Sequence, residues 1–305
     1  MQKLQTAVQL SKIMGDLVSS RVLLTLSILI LAFSTLSFKW PLENGRLTST
    51  FGESRGDHFH DGVDLVCPDD KVYSVTDGQV MYYWDRSIFP LDNDPGGGNL
   101  VILQHADDIY SIYMHLLEGS IKPFAEAGKQ LAAVGNSGHS YAKHLHISLL
   151  KKTLRQSINP LSVFPEYNDA VAPTIDAMYL KIGEKYIQVR DNASIRLTRH
   201  YPILVDIKDT VTGAEKLGIY SLAALFNGKQ VLDIKFDTIG FSEQGLLVDK
   251  KLFPAVMDVK GYYVIDGLKH KQGDNILEIT ARDYRGNIGV KTFRYSADLD
   301  MEQTL

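Results

Sequence analysis

From Leu47 onward the chain alternates short apolar runs with turn residues. KVYSV, GQVMYYWD, NLVILQH and DIYSIYMHL are rich in Val, Ile and Tyr. Thr76-Asp77-Gly78 and Asp94-Pro95-Gly96-Gly97-Gly98 separate them, as turns separate strands. HLHISLL, residues 144–150, alternates in the same way, and few helical stripes compete. The segment Ile158 to Asp176, INPLSVFPEYNDAVAPTID, holds three prolines and reads as the exit from one domain and the linker to the next. Beyond it, SLAALF and KQVLDIKF flank Asn227-Gly228, a two-residue hairpin signal. NILEITARDY and IGVKTFRY flank Arg285-Gly286-Asn287. The pattern predicts a mostly β protein: an antiparallel β-sheet domain over residues 39–168, then an immunoglobulin-like β-sandwich over residues 169–305.

Residues 1–38 follow a different pattern. Lys3, Lys12 and Arg21 lie in a polar leader, and Val22 to Phe38 then runs without a charge until Lys39. A basic leader, an apolar centre and small residues near Ser34 or Ser37 fit a secretory signal peptide. The run is short of the roughly 20 residues that span a bilayer comfortably, yet an uncleaved N-terminal membrane anchor, a hydrophobic helix, stays open. Either reading places the rest of the chain outside the cytoplasm, in the periplasm or cell envelope. No cysteine lies near the end of the run, so a lipoprotein anchor is not supported.

Length and composition narrow the classes. A chain of 305 residues suits about two domains. Lys and Arg total 32 against 36 Asp and Glu, a net charge of −4, so no basic excess points to nucleic acid. The single cysteine, Cys67, excludes an internal disulfide framework and a cysteine-rich zinc site, and reads as a small packing residue. Of nine histidines, five fall in two short clusters.

Those clusters carry the candidate chemistry. HFHDGVDL, residues 58–65, contains His60-x-x-x-Asp64; HLHISL contains His144-x-His146; YMHL between them contains His115. On a strand, residues i and i+2 share a face. His144 and His146 therefore project together, while Leu145, Ile147 and Leu149 face a core. Two polar rings on one apolar strand are costly without partners, and metal binding explains them. Two imidazoles and a carboxylate with an open fourth position form the donor set of a catalytic zinc site. Zinc acidifies water from about 15.7 toward about 7 and polarises a carbonyl. A histidine can carry the proton near neutral pH, and another can hydrogen-bond the developing oxyanion. No HExxH occurs, so histidines outside the ligand set must do the work of the glutamate base found in helical zinc proteases.

HFHDGVDL, YMHL and GNSGHSYAKHLHISL, in that order, resemble the lysostaphin-like (LytM-type) zinc metallopeptidases, which cut peptide cross-links of bacterial cell walls. The resemblance covers roughly Trp40 to Phe164. It implies one Zn²⁺ per chain held by His60, Asp64 and His146, with His115 and His144 as the non-ligand pair that activates water and stabilises the transition state. How the two roles divide stays open. It implies a peptidoglycan peptide as substrate and a groove walled by loops, Arg86 to Gly98 among them. A second reading is a catalytically silent wall-binding module that activates another hydrolase. A third is a structural or adhesion protein with purely structural zinc.

The remaining candidates are weaker. His58 reads as groove-lining or solvated. His105 reads as structural or as a partner behind the ligands, and His139 as a surface residue of its turn. His200 and His270 lack partners nearby in sequence and read as solvated. Arg55 and Asp57 either orient ligands or belong to a solvated loop. Gly96-Gly97-Gly98 is followed by no Lys-Ser/Thr, so it is no phosphate loop. Ser137 and Ser140 do not match the G-x-S-x-G elbow. No feature names a partner for residues 169–305.

Overall fold

The computed structural model describes residues 37–123, 128–211 and 216–300. The expected N-terminal helix over Val22 to Phe38 lies outside them, save its last two residues. Among the described residues, no helix is long and apolar enough to cross a membrane. From Phe38 on, the chain forms one compact unit. It is mostly β, as the alternation predicts, and the only helices among the described residues are single 3₁₀ turns.

Among the described residues, nine strands precede the linker: β1 (Arg46–Ser49), β2 (Val63–Val66), β3 (Lys71–Tyr73), β4 (Gln79–Trp84), β5 (Asn99–Gln104), β6 (Ile109–Leu116), β7 (Gln130–Ala133), β8 (Leu145–Lys151) and β9 (Gln156–Ile158). All their pairings with one another are antiparallel. β8 is the hub. β6 runs along one edge, and β5 and β4 continue beyond it. The other edge is shared: β2 pairs with Leu145 to Ile147, and β9 pairs with Leu149 to Lys151. Leu145, Ile147 and Leu149 are fully buried, as their side of the alternation predicts.

Twelve strands follow among the described residues: β10 (Thr174–Ile182), β11 (Lys185–Val189), β12 (Ala193–Leu197), β13 (Ile203–Lys208), β14 (Ser221–Phe226), β15 (Lys229–Lys235), β16 (Thr238–Ser242), β17 (Gly245–Val248), β18 (Lys251–Leu252), β19 (Tyr263–Ile265), β20 (Gly273–Arg282) and β21 (Ile288–Leu299). They form a four-stranded sheet in the order β11-β10-β13-β19 and a five-stranded sheet in the order β12-β21-β20-β14-β15. β12 and β21 run parallel; the other pairings in these two sheets are antiparallel. The Asn-Gly hairpin forms as expected. Phe226 pairs with Lys229, and Asn227 and Gly228 take φ of 51° and 77°, the left-handed pair of a primed turn.

Three strands leave this second half. β16, β17 and β18 add to the edge of the first sheet, with β16 pairing β9 through Thr238 and Ile158, and bring that sheet to ten strands. The exchange runs the other way too. Phe51 and Phe59, both fully buried, sit in one apolar cluster with Phe236, Ile239, Val248 and Phe253. Gly52, at φ 80°, approaches Phe236 so closely that a Cβ there would overlap the ring. The two halves thus interlock beside the segment that carries His60.

Candidate metal centre

His60 follows the buried Phe59. Its Nδ1 donates to the Thr50 carbonyl at 2.8 Å, which leaves Nε2 as a lone pair. Asp64 lies on β2, directly across from His146 on β8. His146 Nε2 faces Ser148 Oγ at 2.7 Å, so its lone pair lies on Nδ1 when Nε2 donates there. The three free atoms converge: His60 Nε2 to Asp64 Oδ1 is 3.1 Å, His146 Nδ1 to Asp64 Oδ1 is 3.0 Å, and His60 Nε2 to His146 Nδ1 is 2.9 Å.

Two nitrogen lone pairs and a carboxylate oxygen facing one another repel unless a cation lies among them. The group could hold a metal ion. A triangle with edges near 3.0 Å has its centre about 1.7 Å from each corner, so all three atoms could reach one ion at the usual zinc distance of about 2.0–2.1 Å. Without a metal, a proton on His146 supplies the positive charge that the cluster calls for. Burial opposes ionisation of Asp64, but the His60 and His146 imidazoles prevail and hold its carboxyl far below the usual range. Burial also disfavours a charged His146, yet Asp61 and Asp64 outweigh it and lift the imidazole to about 9.

His115 and His144 complete the cluster. Met114 on β6 pairs with His146, and the next residue, His115, takes a left-handed φ of 62°. That turn breaks the strand alternation and brings its ring 4.8 Å from the His144 ring and 6.0 Å from the His146 ring. Backbone strain of this kind collects at functional sites. The His115 backbone N–H donates to Gly97 at 2.9 Å, and its Nδ1 donates to the Ser137 carbonyl at 2.8 Å. Burial pulls the imidazole down to about 4, against the pull of that carbonyl. His144 Nδ1 donates to Ala142 at 2.7 Å, and its Nε2 lies 3.6 Å from Asp64 Oδ1. Both rings therefore keep Nε2 as a free acceptor toward the cluster. All five residues singled out by the motifs come together.

Several supporting residues were open or missed in the sequence. Arg55, left between orienting and solvated, donates to Asp64 Oδ2 at 2.7 Å and to Ser49 Oγ at 2.8 Å. Asp57 instead pairs with the exposed His58. Glu53 accepts from Thr50 Oγ1 at 2.6 Å and from the Gly218 N–H at 3.0 Å, which ties the His60 loop to the second half. Gly98, at φ 67°, abuts the Ser137 backbone, so the glycine run packs against the GNSGH turn and fixes His115 from behind. The close packing needs glycine, a signal visible in the sequence but not assigned there.

The other histidines sort by burial. His105 is buried between the Asp77 carbonyl at 2.8 Å and Ser111 Oγ at 2.7 Å, a structural network. His139 and His200 are exposed. His270 corrects its solvated reading: it is 4% exposed, its ring nitrogens bond Tyr295 and Tyr201, and its ring stacks on His200 at 5.8 Å. Its partners lie 25 and 69 residues away, beyond any local pattern. Cys67 is half-buried and free.

The family model of Peptidase family M23 matches residues 58–160, a span that holds all five site residues. A separate family model matches residues 172–297. The murein hydrolase activator NlpD of Escherichia coli is 31% identical over 133 residues, 43% of this chain and 32% of its own length. The cell division protein DipM of Caulobacter vibrioides is 29% identical over 143 residues, 45% of this chain and 22% of its own. The DD-carboxypeptidase/endopeptidase Mpg of Neisseria meningitidis is 28% identical over 134 residues, 40% of this chain and 28% of its own. The match thus spans about a third or less of each relative. Residues 58–160 of this chain are a Peptidase family M23 domain of the LytM type.

Proposed function

We propose that the protein is a zinc-dependent endopeptidase that hydrolyses peptide cross-links of bacterial peptidoglycan. The observation that carries the reading is the convergence of two imidazole nitrogens and one carboxylate oxygen, each about 3.0 Å from the others, with two further imidazole rings beside them. His60, Asp64 and His146 are the proposed ligands. A zinc ion there supplies Lewis acidity, acidifying water and polarising a peptide carbonyl.

The chain's own residues do the rest. Burial keeps His115 neutral, so its Nε2 accepts the proton released when water attacks. The Ser137 carbonyl then steadies the charged ring through Nδ1. His144, tied through Nδ1 to Ala142, offers the second ring, which hydrogen-bonds the developing oxyanion when protonated. Arg55 holds the far oxygen of Asp64 and so aims the near one. Export through the apolar segment before Lys39, cleaved or kept as an anchor, would bring this chemistry to the cell envelope. We assign residues 169–305 as an accessory β-sandwich of immunoglobulin-like kind that supports the catalytic half.

The test is direct. Protein beginning near Lys39 should carry about one zinc per chain and solubilise purified peptidoglycan alone, with loss on chelation. His115→Ala and His144→Ala should keep zinc and lose cleavage; normal cleavage by both would overturn the assignment. NlpD, named a murein hydrolase activator, motivates a second reading. Under it, the protein releases no muropeptides alone but accelerates an added wall hydrolase, with or without His115.

A further inference from the structure

A second group of acidic side chains lies away from the five-residue site. It draws on three parts of the chain: Asp169 in the linker, Asp209 just after β13, and Asp283 in the turn between β20 and β21. One carboxylate oxygen from each lies within 4.8 Å of the others. Asp283 is engaged: its Oδ1 accepts from the Arg285 and Asn287 backbone at 2.7 and 2.9 Å, and its Oδ2 from Asn287 Nδ2 at 2.7 Å. Asp169 accepts from Val171 N through Oδ1 at 3.0 Å, but its Oδ2 is buried without a partner.

Asp209 is the decisive residue. It is 2% exposed, and neither carboxylate oxygen has a hydrogen-bond partner. The Tyr167 hydroxyl is buried and unpartnered as well, within electrostatic reach of all three carboxylates. The nearby guanidinium of Arg285 pairs with Glu166 at 2.5 Å. A buried carboxylate without a counter-ion is heavily penalised and is relieved by a proton or by a bound cation.

The donors are all oxygen, which disfavours zinc and selects a hard cation. Calcium takes 6–8 oxygens at about 2.3–2.6 Å in flexible geometry, and three carboxylate oxygens that all lie within 4.8 Å of one another can reach one such ion. Magnesium demands a tighter octahedron and gives up water reluctantly. We propose that Asp169, Asp209 and Asp283 form a calcium site, with the Tyr167 hydroxyl at its edge, that fastens the linker to β13 and to the β20–β21 turn. The linker already touches that turn, since Asn287 Nδ2 donates to the Asp169 carbonyl at 3.2 Å. The ion completes the clasp.

Terbium, a luminescent calcium mimic excited through Tyr167, reads the site in the zinc-saturated full chain. Expected is saturable emission at one ion per chain, displaced by calcium and not by equal magnesium, and a rise of several degrees in Tm with calcium. Asp209→Asn should abolish the emission and the calcium effect. Should that variant fail to fold, Asp169→Asn, on a half-buried linker residue, should weaken calcium at least tenfold. His146→Ala should keep the emission. Absence of calcium-displaceable binding, equal displacement by magnesium, an unchanged Asp169→Asn, or loss of emission in His146→Ala would each overturn the proposal.

Discussion

The Phe59 and Phe253 rings pack edge to face, their centroids 5.1 Å apart. Phe59 immediately precedes His60, and Phe253 lies beyond β18 in the second half. Phe236 takes a second edge of Phe59 at 6.3 Å. The backbone that aims His60 is therefore shaped by rings nearly two hundred residues away in sequence. Phe253→Ala should lower stability by about 3–5 kcal/mol, as for other buried phenylalanines. It should also weaken zinc, because the His60 loop loses its support. Chemical denaturation and zinc competition with a chelator measure the two effects. A variant destabilised but unchanged in zinc affinity would uncouple the cluster from the site.

Arg55→Gln tests support of another kind. The guanidinium bonds Asp64 Oδ2 and Ser49 Oγ, and no motif names it. Residues that orient a metal ligand typically contribute 10–100-fold in affinity. Zinc affinity should fall within that range while the fold persists, since Arg55 is partly exposed. Circular dichroism beside the chelator titration separates the two.

What could be read from the sequence was local. His60 and Asp64 are four residues apart and His144 and His146 share a strand face, so spacing alone joins them in pairs. The strand alternation was equally visible, because Leu145, Ile147 and Leu149 repeat at period two. Contacts between distant segments were not visible. The left-handed His115 is set by Gly97 and Ser137, 18 and 22 residues away, and nothing about a Y-M-H-L strand foretells a break there. The passage of β16 to the first sheet depends on β9, about 80 residues earlier. His270 looked solvated for the same reason.

The pH profile tests the state of His115. Burial lowers its folded pKa from the ordinary imidazole range to about 4, so the ring stays unprotonated well below pH 6.5. A zinc ion nearby pushes in the same direction. The acidic limb of kcat/KM, assayed at saturating zinc, should therefore fall clearly below 6.5. A limb at or above that value would assign proton uptake to a different group.

Gly62→Ala tests the fit of β2 against β8. A Cβ at Gly62 would lie 2.5 Å from the Ile147 carbonyl and 2.7 Å from His146 Nε2, too close for either. The strand must shift, and the Asp64–His146 pairing shifts with it. Zinc content after dialysis should drop below half of wild type, and Tm should fall. Full zinc content would mean that the sheet absorbs a methyl group without moving its ligands.

Truncation after Ala172 separates support from targeting. The cut removes β16 from the edge of β9 and uncovers Phe51 and Phe59. It strips Asn159 of its bonds to the Phe236 and Asp237 carbonyls. It also removes the Gly218 N–H from Glu53 and the Tyr284 hydroxyl from the Phe51 carbonyl. Each loss lies within a few residues of His60 or of the strand that follows β8. The shortened chain should melt at lower temperature, expose apolar surface and bind zinc more weakly. Cleavage should then fall on intact wall and on a short soluble peptide alike. Loss on intact wall alone, with the peptide rate preserved, would make the second half a targeting device and the packing around Phe59 dispensable for catalysis.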